Sequence, residues 1–158
     1  MLNFAEIAEG NIKKIYAIRL KPGTDLLKGL EEICNEKQIK NGVILSAIGS
    51  LDGVKYCNPV ELPEKKAGYG YGEILHLSGP IELTNASGLI CHDRTGEINL
   101  HIHITLSDRY GNAHGGHLVE GTKVLLTTDL VIGEIEGLIM GREFDEDLEV
   151  PIFAPRQK

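Results

Sequence analysis

A chain of 158 residues suits one domain and is long enough to bury its own core. Hydrophobic residues at 42% and charged residues at 25% mark a soluble globular chain and exclude a disordered one. The formal net charge of −7 argues against tight, sequence-independent binding to nucleic acid, which needs lysines and arginines to displace counterions from phosphate. The richest basic cluster, Lys13, Lys14, Arg19 and Lys21, reads as a solvated face. Cys34, Cys57 and Cys91 are odd in number and lack CxxC spacing, so they read as buried reduced thiols in a cytoplasmic protein. Met1 to Gly10 carries acids and no long apolar run, so no signal peptide is expected. No apolar stretch reaches the roughly 18 residues of a membrane span.

In chain order, residues 11–20 read as a strand, with Ile12, Ile15, Tyr16, Ile18 and Leu20 in imperfect alternation. Lys21-Pro22-Gly23 ends it, because proline cannot donate to a ladder and glycine allows a turn. Thr24 or Asp25 can cap the helix that follows, whose stripe of Leu26, Leu27, Leu30, Ile33 and Cys34 falls at helical spacing and reads as core. Asn41-Gly42 is expected to stop this helix, since both residues tolerate the left-handed conformation.

From residue 43 the pattern turns to strands. Residues 43–48 are short and apolar, 51–56 follow a Gly-Ser break, 59–66 form a charged loop, and 68–77 start glycine-rich and end in a strand over 73–77. Gly79-Pro80 breaks it and residues 81–83 resume. Residues 86–92, 98–106 and 115–119 read as strands joined by turns at 93–96 and 107–111. Residues 124–135 are apolar enough for a buried strand, and the acidic, proline-containing tail 141–158 is partly loop. One early helix and many strands imply an α+β fold with a mostly antiparallel sheet.

The chemistry-bearing feature lies in the hairpin. Residues i and i+2 of a strand share a face, so His101 and His103 point the same way, roughly 7 Å apart. Leu100, Ile102 and Ile104 point the other way, into the core. Folding the chain about Arg109-Tyr110 sets His103 opposite His117, which therefore joins them, while His114 has the other parity. Gly115-Gly116 is where a bulge would shift this register by one. A turn at Arg94-Thr95 in the preceding hairpin places Ala86 and Gly88 near 103 and 101, leaving room for an ion. His92 then shares the face but lies far along the strand. Three neutral imidazoles with an open fourth position suit zinc, bound at roughly 2.0–2.1 Å. Nickel, iron and manganese remain open.

These residues resemble a known family. His101-Ile-His103, Ser107-Asp108, Gly111, Gly115-Gly116-His117-Leu118 and Gly121 look like the signature of the PPC domain (plants and prokaryotes conserved, also called DUF296). Arg19-Leu-Lys-Pro-Gly-Thr-Asp25 matches its strand-to-helix entry, Ala47-Ile-Gly-Ser50 the strand after the helix, and Gly70-Tyr-Gly-Glu-Ile-Leu75 the Gly-Arg-Phe-Glu-Ile-Leu motif of plant members. The match covers about residues 10–140, so residues 1–158 are read as a single domain of the stand-alone prokaryotic type. The resemblance implies an α+β fold whose subunits assemble as homotrimers. It implies metal at His101, His103 and His117 in some members, and association with partners in plant members, where the domain accompanies DNA-binding AT-hooks. This chain has no Arg-Gly-Arg-Pro AT-hook and has Tyr71-Gly72 where plants have Arg-Phe.

Three functional readings follow. The first is a homotrimeric module that binds a divalent metal, zinc foremost, and has a regulatory or interaction role. The second is a metal-dependent enzyme acting on a small polar molecule. Zinc with an open position can activate water, but a general acid or base is also needed. Glu73 is the candidate, opening a strand beside the glycine-rich loop. Glu120 has the wrong parity to face the metal, and Arg19, though able to bind an anionic group, reads as an ordinary ion-pair partner. The third reading, a DNA-binding role as in the AT-hook relatives, runs against the charge.

Overall fold

The computed structural model describes residues 3–158. Its elements are β1 (Asn11–Leu20), α1 (Leu26–Lys37), β2 (Gly42–Leu51), β3 (Val54–Cys57), β4 (Pro59–Glu61), β5 (Tyr69–Tyr71), β6 (Leu75–Leu77), β7 (Ile81–His92), β8 (Ile98–Ser107), β9 (Ala113–Leu118), β10 (Val124–Glu136), β11 (Leu138–Asp145) and β12 (Val150–Gln157). The main sheet runs β1-β10-β2-β7-β8-β9-β3-β6, with every neighbour antiparallel. The β11–β12 hairpin joins it through one parallel pairing, Gly141 with His92. β4 and β5 form a separate small hairpin. This is the α+β, mostly antiparallel architecture that the pattern implied.

The single helix packs on one face of the sheet. Leu26, Leu30 and Cys34 of α1 join Ile44, Ala47, Ile90, Ile102, Ile104, Leu106, Leu130 and Ile132 from the strands in one core. Asp25 is the N-cap: its Oδ1 accepts the N–H groups of Leu27 and Lys28 at 3.1 Å. The helix stops at Lys37, four residues before Asn41. Gln38 takes the left-handed conformation at φ 57°, and the Ile39 N–H donates to the Cys34 carbonyl at 2.8 Å. This is a Schellman closure, whose hydrophobic partner is Ile39, fully buried. Burying Ile39 requires the chain to leave the helical path before Asn41-Gly42. Asn41 serves elsewhere: its side-chain oxygen accepts the Met140 N–H at 2.7 Å and anchors β11.

Other boundaries also differ from the sequence reading. Strand β2 continues to Leu51, and the chain turns at Asp52-Gly53, where Gly53 has φ 83°. Residues 59–61, expected as loop, form β4, and of 73–77 only Leu75–Leu77 is strand. Residues 81–92 are one strand interrupted by a bulge between Leu83 and Asn85. The tail is almost wholly β-hairpin. Pro151 and Pro155 lie on β12, which pairs only with β11, so their missing N–H groups cost no ladder bond on a second side. The three cysteines are free and buried. Burial pushes the Cys34 thiol up to about 12 and the Cys91 thiol up to about 11, so both are inert at neutral pH. Among the described residues no helix is long and apolar enough to cross a membrane.

Candidate metal centre

Strand alternation sorts the two sheet faces. Ile102, Ile104 and Leu106 of β8 are buried beneath the helix, while His101, half-buried, and His103, exposed, point the other way. His103 pairs with His117, and β8 and β9 run from there to Ser107 and Ala113 without irregularity. The predicted register therefore holds and the glycine pair introduces no bulge. Gly116 instead permits close approach: a Cβ there would lie 2.9 Å from the Cys57 carbonyl oxygen and 2.9 Å from Tyr56 Cδ2, and would collide with the Asn58 side chain. His114 pairs with Leu106, faces away from the cluster and meets the Asp108 carboxylate at 3.1 Å. Asp108 also accepts the backbone N–H groups of Tyr110 and Asn112, which shapes the turn that sets this register.

The preceding hairpin differs by one residue. Ser87 and Leu89, not Ala86 and Gly88, lie opposite His103 and His101. The connection from His92 to Ile98 holds five residues rather than the four that a centre at Arg94-Thr95 assumes. Asp93 organises it, its Oδ1 accepting the N–H groups of Thr95 at 2.8 Å and Glu97 at 3.0 Å. The shift turns Ala86 and Gly88 to the helix side. It turns His92 there too, where its Nδ1 lies 2.9 Å from the Lys40 carbonyl oxygen.

The three imidazoles converge. Their nearest ring nitrogens all lie within 4.8 Å of one another, and His101 Nε2 is 3.1 Å from His103 Nε2. Nitrogens bound to a tetrahedral zinc lie roughly 3.3 Å apart, so small side-chain rotations bring this donor set onto one ion. Burial first, then the charge of Arg142 and the neighbouring His103, push His101 down to about 4. Burial, His101, Arg142 and His103 push His117 down to about 4 as well. Both rings are thus neutral at physiological pH, the form that ligates metal. The residues fit a divalent ion with nitrogen preference.

Two side chains that the sequence did not single out as functional complete the surroundings. Tyr71 of β5 places its hydroxyl 3.4 Å from His117 Nδ1 and its ring centroid 4.7 Å from that imidazole. Arg142 of β11 is 6% exposed and donates from Nη1 to the Leu100 carbonyl at 2.7 Å. Both come from hairpins that fold over the histidine face and touch each other: Lys66, between β4 and β5, bonds Glu146 and Glu149, between β11 and β12. No local pattern announces either residue, because Tyr71 sits in a glycine-rich stretch and Arg142 in the tail read as partly loop. Glu73 lies exposed between β5 and β6, and Glu120 is exposed beside Lys28 at 3.7 Å. Arg19 sits opposite Asp129 on β1, the strand at the far edge of the sheet, and among the described residues no ion pair engages it.

A single-helix α+β domain with a histidine triad on the sheet face away from the helix is the class defined by this fold and site. The chain belongs to the Plants and Prokaryotes Conserved (PCC) domain family, whose model matches residues 7–136. It resembles a metal-containing protein from Archaeoglobus fulgidus, with a TM-score of 0.80 and 27% identity over 95% of this chain and 99% of that one. A plant- and prokaryote-conserved protein from Pyrococcus horikoshii matches with a TM-score of 0.77 and 26% identity, over 94% of this chain and 97% of its own. By sequence, the chain is 33% identical over 121 residues to a bifunctional protein GlmU from Synechococcus sp. (strain JA-2-3B'a(2-13)). That alignment covers 77% of this chain but only 17% of the longer protein.

Proposed function

We propose that this is a cytoplasmic metal-binding PCC protein in which His101, His103 and His117 hold one divalent ion, zinc foremost, and that it works as a homotrimer with a regulatory or interaction role. The observation that carries the reading is the convergence of three imidazole nitrogens within 4.8 Å on an accessible face. The metal-containing A. fulgidus neighbour supports it. When bound, the ion supplies a Lewis acid with an open side, because His103 is exposed. The chain's own groups orient the ligands: Tyr71 braces His117, and strand pairing fixes His103 against it.

The test is metal content. Protein purified without added metal is expected to carry about one divalent ion per chain by mass spectrometry, and His103→Ala to lose it while keeping its circular dichroism. Unchanged metal content in that variant removes the reading.

The open side also favours an enzymatic alternative, for which Glu73 remains the candidate acid or base. Glu73→Gln is expected to leave metal content intact while lowering turnover of any hydrolysed substrate by about 10²-fold or more. Equal turnover eliminates Glu73. Trimer assembly is supported by apolar side chains on the face of β1, β10 and β2 away from the helix: Ile12, Ile15, Leu45 and Ile48 are all exposed there. With the net charge of −7, no salt-dependent retardation of duplex DNA is expected.

A further inference from the structure

Arg142 poses a charge problem that the metal reading makes sharper. It is buried, yet only Nη1 of its three guanidinium nitrogens has a hydrogen-bond partner among the described residues, and that partner is a neutral carbonyl. Its Nε is enclosed with no partner. A guanidinium keeps its charge even when burial pulls its pKa down. Buried charges are ordinarily paired. The adjacent acid, Glu143, is already committed to Arg94 and Arg156.

No carboxylate hydrogen-bonds Arg142 among the described residues: Asp93 and Glu143, which share a cavity with it, are committed to Thr95 and Glu97 and to Arg94 and Arg156. The groups acting on Arg142 are the thiol of Cys91 and the phenol of Tyr71; those acting on His101 are Arg142 and His103, and those acting on His117 are His101, Arg142 and His103. A dication on the three histidines therefore stands close to a guanidinium with no uncommitted carboxylate to balance the two. Arg142 also lines an open cavity of about 530 Å³ that it shares with Arg94, the committed carboxylates Asp93 and Glu143, and Asn99, Phe144 and Pro151. Asn99 lies on the same strand face as His101, two residues away.

We propose that Arg142 is the receptor for the carboxylate of a small organic acid that enters through this cavity and also ligates the ion held by His101, His103 and His117. The inference rests on the metal reading and names the ligand class of that same site. Of the two nitrogens without a partner, Nε is enclosed, so Nη2 is the one that an entering carboxylate meets in a charge-assisted hydrogen bond. Nη1 is held by Leu100, so the side chain is anchored at one end while Nη2 remains for the ligand. An anion bridging guanidinium and metal neutralises both at once. The cavity gives the remainder of the acid a place to lie, with the Phe144 and Pro151 side chains as its apolar wall.

The experiment is calorimetric titration of malonate, malonamide and inorganic phosphate into zinc-loaded and metal-free protein, with metal content measured on the same samples. Malonate is expected to bind the zinc-loaded protein, its neutral diamide not to bind, and phosphate to bind more weakly. Arg142→Lys, which keeps the charge but removes the anchored Nη2, is expected to weaken malonate at least tenfold with metal content unchanged. Equal malonate affinity in that variant, equal affinity for malonamide, or preference for phosphate overturns the proposal. If Arg142→Lys does not fold, the wild type decides: malonate must raise the melting temperature of the zinc-loaded protein above that in chloride of the same ionic strength, and no difference overturns the proposal. A wild type that takes up no metal defeats the metal reading separately. Titration of malonate into the metal-free protein then still shows whether Arg142 receives a carboxylate, and no binding there overturns that role.

Discussion

His101 and His117 tie the site to pH as well as to metal. Their folded-state pKa values of about 4 lie below the ordinary histidine value of about 6.5. Between those two values the unfolded chain takes up protons that the folded chain refuses, so acidification favours unfolding. The metal-free protein is therefore expected to keep its full stability above about pH 6.5 and lose it progressively toward about pH 4. The midpoint of thermal unfolding in chelator, measured across that range, checks this, and a flat profile contradicts it. The metal-loaded protein should hold its ion through most of that interval and release it only as the pH falls to about 4 or below, where protons compete for the same nitrogens. At this scale much was legible: alternation along one strand and a hairpin centred on Arg109-Tyr110 were enough to group His101, His103 and His117 and to set His114 aside. Arg142 and Tyr71 were not legible as site residues, because each reaches the histidines from a hairpin far away in sequence.

At the scale of elements, two joints carry the geometry. The first is the start of α1, where Asp25 Oδ1 caps the helix and Oδ2 accepts the Gly121 N–H at 2.8 Å from the β9–β10 connection. Asp25→Ala is expected to cost about 1–2 kcal/mol in urea unfolding, and Asp25→Asn less, since the amide oxygen still caps. The second joint is Gly116, which lets β3 pair closely with β9 beside His117. Gly116→Ala is expected to cost about 1–3 kcal/mol by overpacking. It should also weaken metal binding, because Cys57 is the strand partner of His117. An alanine variant with unchanged unfolding midpoint and metal affinity would show that the close approach does not matter. Local signals located the helix and narrowed its cap to Thr24 or Asp25, of which the structure uses Asp25, but misplaced its end. Asn41-Gly42 is a good stop by residue type, yet burial of Ile39 drew the turn back to Gln38. The β7–β8 register slipped for a related reason: an Asx-organised connection adds a residue that turn-centre counting cannot see.

At the scale of the molecule, one sheet face carries two features side by side, the histidine centre on β8 and β9 and the exposed apolar patch on β1, β10 and β2. Ile15 is 58% exposed and Ile48 54% exposed, on strands whose opposite sides pack against the core. Ile48→Glu is expected to convert a trimer to monomer in sedimentation while leaving metal content unchanged. A wild type that sediments as a monomer removes the assembly reading outright. Hydrophobic periodicity determined on its own that the chain is α+β with one helix, and strand parity determined which histidines share a face, because both depend only on neighbours along the chain. Tertiary structure decided what surrounds those histidines. The folding of the β4–β5 and β11–β12 hairpins over the sheet brings an unpaired guanidinium and a tyrosine to them, through contacts between segments some forty residues apart or more that leave no periodic trace in the sequence.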